Sequence, residues 1–335
     1  MLDSVQALRA LAALCVVVYH VDFVARGAFG VDIFFVISGF IICHVTAADH
    51  DGFLRKRLIR IVPLYWTGTL CLFVLAFFAP QLLKSAATLS GLVDSLLFIP
   101  YAKDGGRVYP ILFLGWTLNY EMFFYALFAC ALALNRRLAP IMVCAVLVLL
   151  AAAGQIVGPG SVIGRFYTSP ILLEFCYGIA VFHAWQRARA ALLGASRLLV
   201  LAAACTVVLG MAALTAEDSA YRFAVWGLPS AVVVLLMLGL QGRIAFPLGI
   251  VALGDASYSL YLFHPYVLKV VDRTAISFAE ASFASVCAAL LYIGLSLLLA
   301  IAVYRHFERP VSRLLRARLL GRAAAPLRPA AARAP

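Results

Sequence analysis

The chain has 335 residues, of which 65% are apolar and only 13% are charged, and its mean hydropathy is +1.01. These values exclude an ordinary soluble globular domain. The formal net charge of +12 therefore indicates membrane topology and attraction to anionic lipid headgroups rather than a nucleic-acid surface, because no soluble domain is left to present one.

Apolar stretches follow one another along the chain, and most are long enough to cross a hydrocarbon core of ~30 Å as a helix. We predict ten spans, at approximately residues 4–24, 29–47, 61–80, 114–134, 139–157, 169–185, 198–215, 223–240, 247–269 and 283–304. The expected fold is an all-α polytopic protein of the cell (inner) membrane. Residues 1–304 form the transmembrane domain, and 305–335 form a basic tail whose distal part is expected to be disordered.

The distribution of Lys and Arg predicts the orientation, because cytoplasmic loops are enriched in these residues. Most of the 27 basic residues follow the even-numbered spans, and the strongest local cluster is "FLRKRLIR" over 53–60. Both termini are therefore predicted to be cytoplasmic. The eight cysteines lie within spans and include no Cys-x-x-Cys pair, so we expect neither disulfides nor a metal site.

Five ionisable residues lie near the outer ends of predicted spans: His20, Asp32, Glu121, Glu174 and His264. An ionisable group at the bilayer centre costs roughly 2.5–3.5 kcal/mol, so each needs a partner or a function. Asp32 or Glu174 alone could equally cap a helix or reach the interface. Glu121 lies about two turns deep and is too short to do so. Because the five share one depth, we expect His20 and Glu121 to face a common pocket that opens outward.

Arg9 and His20 are eleven residues apart in the first span, which places them on one helix face about 16 Å apart. Arg9 could instead reach the inner headgroups. Lys56, Arg57 and Arg60 precede the third span. Arg57 and Arg60 share one helical side and could bind a polyphosphate, although such clusters more often set topology. Ser38, in "SGF", is more typical of helix packing than of a nucleophile.

Together these residues resemble the membrane-bound acyltransferase-3 family, whose members O-acylate bacterial cell-surface glycans. The matching elements occur in family order: Arg9 with ten residues before His20, "GVDIFFVISGF" (30–40), "RLIRIVP" (57–63), "WTLNYEMFFY" (116–125), "SYSLYLFHP" (257–265) and "FERP" (307–310). The stretches "QALRALAAL" and "WTLNYEMFFY" are most similar to the exopolysaccharide-modifying branch. The match therefore extends over nearly the whole chain.

The resemblance implies transfer of an acyl group, expected to be acetyl, from cytoplasmic acyl-CoA to a hydroxyl of a cell-surface or lipid-linked glycan. No bound cofactor or metal is implied. The donor phosphates would bind Arg57, Arg60 and Lys56, and the pantetheine arm would pass Arg9 toward His20. His20 would act as general base or as acyl carrier, and Glu121 or Asp32 would orient its ring or hold the acceptor.

The implied acceptor pocket comprises Trp116, Tyr125, Glu174, Tyr261 and His264. Tyr125, Tyr261 or Arg9 would stabilise the oxyanion, because helical N–H groups are already hydrogen-bonded. Two alternatives stay open. One is a proton-coupled transporter, which the off-centre polar layer and the lack of related halves disfavour. The other is a non-catalytic partner of polysaccharide assembly proteins. The expected partners are acyl-CoA, a glycan, membrane lipids and such assembly proteins, but not nucleic acid.

Overall fold

The structure is a computed structural model that describes residues 2–78, 88–103, 106–217, 219–271 and 282–321. Within these ranges the fold is helical and contains no strand, only an isolated bridge between Ala102 and Val108. The all-α class is confirmed. The distal part of the tail, from 322, and the last two residues of the third predicted span lie outside the described residues.

The described residues form fourteen α-helices. They are α1 (Asp3–Tyr19), α2 (Gly30–Ala48), α3 (Phe53–Phe78), α4 (Leu89–Leu96), α5 (Trp116–Leu134), α6 (Ala139–Val157), α7 (Val162–Tyr167), α8 (Leu173–Gly194), α9 (Arg197–Ala213), α10 (Leu228–Gly239), α11 (Leu248–Asp255), α12 (Ser257–Val271), α13 (Phe283–Val303) and α14 (Arg309–Leu320). Single 3₁₀ turns precede α5 and α8.

Five helical segments of the described chain are long and apolar enough to cross a membrane: Gly30–Ala48, Phe53–Ala76, Phe113–Leu134, Ala139–Val157 and Phe283–Leu320. Arg197–Ala213 and Phe223–Gly239 are apolar but shorter. The protein is therefore a helical membrane protein, and the count of ten crossings stays a prediction.

Four predicted spans differ in detail from the observed helices. The third, predicted from residue 61, begins at Phe53. The first helix ends at Tyr19 instead of near residue 24, because the chain then turns through Ala25 and Gly27, both with positive φ. The span 247–269 is divided at Ala256 into α11 and α12. The span 169–185 continues as α8 to Gly194 through basic residues that a hydropathy pattern excludes.

Helices α2 and α8 touch through two glycines. A Cβ on Gly39 would lie 2.2 Å from the carbonyl oxygen of Phe175, and one on Gly178 would lie 2.1 Å from that of Val36. Neither position has room for a side chain, so the backbones approach as in other small-residue contacts between membrane helices. This agrees with the interpretation of "SGF" as a packing element at Gly39.

Two π-helical turns interrupt the α-helical pattern near polar residues. Phe223–Gly227 leads into α10, and Tyr304–Glu308 joins α13 to α14. Such turns are rare and often lie near functional residues. After the second turn, α14 lies beside the start of α3, where the Arg55 guanidinium donates to the carbonyl of Leu319 at 3.2 Å.

The bundle has two chemically different ends. We call the end where α2 passes into α3, at residues 49–52, the basic end, because Lys56, Arg57 and Arg60 follow it. We call the opposite end, where α1 ends and His20 follows, the histidine end. Helix α1 begins at the basic end and runs about 25 Å to the histidine end, at 1.5 Å per residue.

Candidate active site

A cavity of ≈ 610 Å³ extends from the basic end into the bundle. Six helices contribute to its wall: α1, α2, α3, α5, α12 and α14. The charged side chains of the lining are Arg9, Lys56, Arg57, Arg60, Arg313 and Arg316 against Asp49 and Glu121. The lining is thus strongly basic, and it suits an anionic ligand.

The predicted basic cluster lines this cavity, but its members differ. The Lys56 ammonium forms a salt bridge of 2.8 Å with Asp49. Arg57 forms no salt bridge within the described residues, and its buried Nε has no hydrogen-bond partner there. Its guanidinium lies over the rings of Phe53 and Tyr125, 5.8 and 6.0 Å from their centroids. Arg57 is therefore held in position while donors remain for a ligand.

Arg9 is buried and faces the cavity rather than lipid headgroups. Its Nη1 donates to Gln6 at 3.0 Å, and the Gln6 amide donates in turn to Asp255. The Gln6 side chain, one turn earlier on α1, thus links the Arg9 guanidinium to Asp255 at the end of α11. Sequence reasoning identified Arg9 but not the supporting Gln6 and Asp255.

Glu121 lies deeper on the same cavity wall. Its Oε1 accepts a hydrogen bond of 2.9 Å from Ser38 and a second from the Tyr125 hydroxyl. The polar partner that its depth demanded is thus supplied by α2 and by the next turn of α5. Ser38 is thus one of the two donors that hold this carboxylate, and its interpretation as a packing residue rather than a nucleophile stays a prediction.

His20 and His264 form a pair at the histidine end. The Nε2 of His264 lies 3.4 Å from the Nδ1 of His20, and the ring centroids are 4.9 Å apart at a steep angle. His264 is buried at 1% exposure, whereas His20 is partly exposed. The pair joins the end of α1 to the middle of α12.

Backbone carbonyls assign the tautomers of this pair. The Nδ1 of His20 lies 2.8 Å from the carbonyl of Val16, and the Nδ1 of His264 lies 3.0 Å from that of Leu260. A carbonyl only accepts, so each neutral ring carries its proton on Nδ1 and its lone pair on Nε2. The His264 lone pair faces His20. The Nε2 of His20 has no hydrogen-bond partner among the described residues and can act as a base.

Tyr261 connects the histidine pair to the cavity. Its ring lies 6.4 Å from the His264 ring and 5.9 Å from the Phe34 ring, and its hydroxyl is 3.0 Å from Thr117 Oγ1. Tyr261, Phe34 and Thr117 all line the cavity, whereas neither histidine does. The aromatic pair therefore separates the inner end of the cavity from His20.

Asp32 and Glu174 belong to a third group. Asp32 accepts two hydrogen bonds from Arg222, at 3.0 and 2.7 Å, and is fully buried. Arg222 also lies over the Trp226 ring, 5.0 Å from its centroid. Glu174 is fully buried beside this pair, and its carboxylate oxygens have no hydrogen-bond partner within the described residues. The Arg222 guanidinium is thus paired with Asp32, and Glu174 lies next to this pair without a hydrogen bond to it.

The expectation that His20 and Glu121 face one common, outward-opening pocket is corrected by this geometry. Glu121 lines the cavity that opens at the basic end, His20 pairs with His264, and Asp32 pairs with Arg222. No hydrogen bond joins His20 to Glu121 or Asp32 among the described residues; Val16 and His264 hold the ring instead. The reason is the rotation of each helix about its own axis. Residues at one depth can point toward different neighbours, and counting residues from a helix end gives the depth but not this direction.

The predicted pocket residues divide in the same way. Tyr125 and Tyr261 line the cavity, whereas Trp116 lies at the start of α5 and packs against Tyr120 with centroids 6.1 Å apart. Sequence reasoning missed Arg222, Arg313 and Arg316. Arg222 directly precedes the apolar stretch 223–240, and a lone arginine at the end of a predicted span was the available signal for an ion pair.

Comparison with known proteins identifies the family. A family model described as an acyltransferase domain matches residues 2–305. The chain belongs to the acyltransferase-3 family. It is 34% identical, over 89% of its length and 95% of the relative, to the exopolysaccharide production protein ExoZ of Rhizobium meliloti.

A second relative matches a shorter segment. The peptidoglycan O-acetyltransferase OatA of Listeria monocytogenes is 34% identical over 93 residues, which are 24% of this chain and 15% of the relative. No solved structure matches the chain. The family membership confirms the resemblance inferred from the motifs, and an acyltransferase takes precedence over the transporter alternative.

Proposed function

We propose that this acyltransferase moves an acyl group, acetyl in the simplest case, from acyl-CoA to a hydroxyl of a cell-surface or lipid-linked glycan. The observation that carries the proposal is the basic cavity that leads from Arg57 and Arg60 toward Tyr261, with a free imidazole Nε2 beyond it. The names of ExoZ and OatA support a polysaccharide acceptor.

The donor enters at the basic end, which the positive-inside rule assigns to the cytoplasm. Arginine guanidinium groups bind phosphates through charge-assisted, often bidentate hydrogen bonds. With the phosphates at Arg57 and Arg60, the pantetheine arm lies along the cavity past Arg9 and Glu121. The thioester then reaches the aromatic boundary formed by Phe34 and Tyr261.

The acceptor hydroxyl approaches from the histidine end. His20 takes the hydroxyl proton on Nε2 while the oxygen attacks the thioester carbonyl, and collapse of the tetrahedral intermediate releases CoA, which receives the proton as its thiol. His264 keeps the His20 proton on Nδ1, so that Nε2 is the basic atom. Tyr261 supplies a hydroxyl near the developing oxyanion.

A relay is the second route through the same residues. The Nε2 of His20 attacks the thioester, the C–S bond breaks, and the CoA thiolate takes the Nδ1 proton of the acyl-imidazolium to leave as the thiol. The acyl-imidazole then transfers its acyl group to the glycan hydroxyl, whose proton returns to the His20 ring. The relay fits the separation between the cavity and the histidine pair, because the acyl group is carried on His20 and the donor and acceptor do not have to be in contact with each other. Tyr261 and Phe34 must move aside for either route.

The test uses purified full-length protein with labelled acetyl-CoA. We expect release of CoA and label transfer to an oligosaccharide acceptor. Incubation without acceptor distinguishes the routes, since only the relay adds one acetyl mass to the intact protein, and the adduct should be absent in His20→Gln. Failure to bind or consume any acyl-CoA in a folded preparation would reject the proposed function.

A further inference from the structure

We propose that Arg313 and Arg316 of α14 form a second phosphate site, which binds the 3′-phosphate monoester of the acyl-CoA donor. The inference rests on the proposed function and extends it to the C-terminal helix. Arg57 and Arg60 then hold the diphosphate. The two pairs divide the donor's negative charge between α3 and α14.

Helix α14 is part of the cavity wall. Arg313, Arg316 and Leu320 all line it. These residues repeat at three and four positions, which places them on one helix face. Arg55 ties the end of α14 to the start of α3 through the carbonyl of Leu319 at 3.2 Å.

The charges that α14 adds to the cavity wall lack anionic partners in the part of the chain that the structure describes. Within the described residues, neither Arg313 nor Arg316 forms a salt bridge. Arg316 also lies near enough to Arg60 for the two positive charges to repel. A cavity that gathers like charges in this way is stabilised by an anion, and a phosphate monoester supplies up to two negative charges.

The order of residues along the cavity assigns each phosphate. Arg57 is half-buried over the Tyr125 ring, whereas Arg313 and Arg316 are exposed at the cavity mouth. Acyl-CoA carries its thioester at one end and its 3′-phosphorylated adenosine at the other. With the thioester at the inner end of the cavity, the adenosine and its 3′-phosphate lie at the mouth, beside α14.

A phospholipid headgroup offers similar phosphate chemistry. Leu314 and Leu319 are exposed on α14, at 49% and 51%, and a basic helix with exposed leucines suits a membrane surface. The cavity position favours the donor for Arg313 and Arg316, since lipid would contact the outer side of α14. The experiment must therefore vary the donor and the lipid separately.

The experiment measures the Kd of acetyl-CoA and of acetyl-dephospho-CoA, which lacks only the 3′-phosphate, in nanodiscs of zwitterionic lipid. Wild type should prefer acetyl-CoA by roughly 10- to 100-fold, the worth of charge-assisted hydrogen bonds. In Arg313→Gln/Arg316→Gln the preference should fall to about 1-fold, with the Kd of acetyl-dephospho-CoA unchanged. Arg318→Gln, on the same helix but outside the cavity, should retain the wild-type preference.

The outcomes separate this inference from the proposed function. Wild type that binds neither donor rejects the function itself. Wild type that binds both donors equally, or a double variant that keeps the preference, overturns the α14 site and leaves the function intact. Repetition in nanodiscs with phosphatidylglycerol tests the lipid source: a defect seen only with the anionic lipid overturns the proposal. Because the donor pair is compared on each protein, reduced folding cannot imitate the result.

Discussion

The basic cavity and the histidine pair represent two ways of placing polar groups inside an apolar bundle. The cavity contains guanidinium groups that have no salt bridge within the described chain, such as Arg57 and Arg60. The histidine pair is small and neutral, and each Nδ1 is bonded to a carbonyl of its own helix. The cavity arginines need an anionic ligand to balance their charge. The histidine pair carries no net charge, and the Nε2 of His20 is its one ring nitrogen without a partner among the described residues.

This difference separates binding from chemistry. An incomplete charge is stabilised when an anionic ligand binds, so substitutions there act on donor affinity. A single free lone pair on an oriented ring contributes little binding but provides a base or nucleophile. Mutations in the two regions should therefore affect KM and kcat separately.

The largest effect is expected at His20. His20→Gln retains some hydrogen bonding but removes the basic nitrogen, so kcat should fall by ~10²–10⁴-fold, the usual contribution of a general base. The Kd of acetyl-CoA should stay within about 2-fold, because the phosphates bind at the basic end. Arg9, on the way to that end, already lies about 16 Å from His20 along α1. Glycan acylation and equilibrium binding, measured on the same preparation, check both values.

His183→Gln is the matched control for this variant. His183 lies on α8 outside the cavity lining, so its substitution should leave both kcat and Kd at wild-type values. Normal acylation by His20→Gln at equal expression would remove His20 from the mechanism. A raised Kd instead would show that the two regions are not separate.

The Asp32–Arg222 pair tests whether a buried ion pair outside the cavity contributes to stability rather than to donor binding. Arg222→Met leaves a fully buried carboxylate without its two hydrogen bonds and should destabilise the protein by about 3–5 kcal/mol. Thermal unfolding in detergent measures this loss. Asp32→Asn in the same background should recover part of it, because the uncompensated charge is then removed.

A partly exposed pair provides the comparison for Arg222. Lys56 and Asp49 are 27% and 37% exposed at the side chain, and Lys56→Met should cost at most about 1 kcal/mol. If Arg222→Met proved as stable as Lys56→Met and instead raised the KM for acyl-CoA, the pair would belong to donor binding rather than to the fold.

The next effect is expected for the arginines of α3. Arg57→Ala/Arg60→Ala should raise the KM for acetyl-CoA by roughly 10- to 100-fold with a much smaller change in kcat, since charge-assisted contacts to the donor are lost. Arg57→Lys/Arg60→Lys keeps the charge without the planar fork and should give an intermediate KM. Steady-state kinetics against donor concentration measures both.

Arg137→Ala provides a control for loss of positive charge. Arg137 is exposed between α5 and α6 and should not alter the KM. An unchanged donor dependence in the double alanine variant would leave the α3 cluster with a topological role alone.

The sequence predicts the helical class and several charged residues of the cavity wall because both depend on local patterns. Hydropathy identifies α2, α3, α5, α6 and α13 within a few residues at most ends. Arg9 and Glu121 stand out because charge is expensive in lipid. Arg57 stands out because it shares one helical side with Arg60 directly before a predicted span. Family membership follows from motif order and is confirmed by the match over residues 2–305.

The grouping of these residues could not be predicted, because it depends on helix rotation and on contacts distant in sequence. His20 meets His264 across 244 positions, and Asp32 meets Arg222 across 190. Both pairings depend on where α10 and α12 pack, and the π turn before α10 shifts its register. The contribution of α14 was missed for a similar reason, since a basic tail after the last span resembles a topological signal.

The smallest effect is expected at His264, and it shows whether the histidine pair acts as a unit. His264→Phe keeps an aromatic ring in a buried site but removes the lone pair that faces the Nδ1 of His20. The carbonyl of Val16 still holds this nitrogen at 2.8 Å, so His20 should stay largely in the productive tautomer. We expect a fall in kcat of about 10-fold, which corresponds to one lost hydrogen bond of ~1.4 kcal/mol, with the KM for acetyl-CoA unchanged.

His264→Gln restores an acceptor and should recover most of the rate if the role is to orient His20. A purely packing role predicts the reverse order, with Phe better tolerated than Gln in the buried site. A loss as large as that of His20→Gln in both variants would instead make His264 an equal participant in proton transfer, and the comparison of kcat across the three variants decides between these roles.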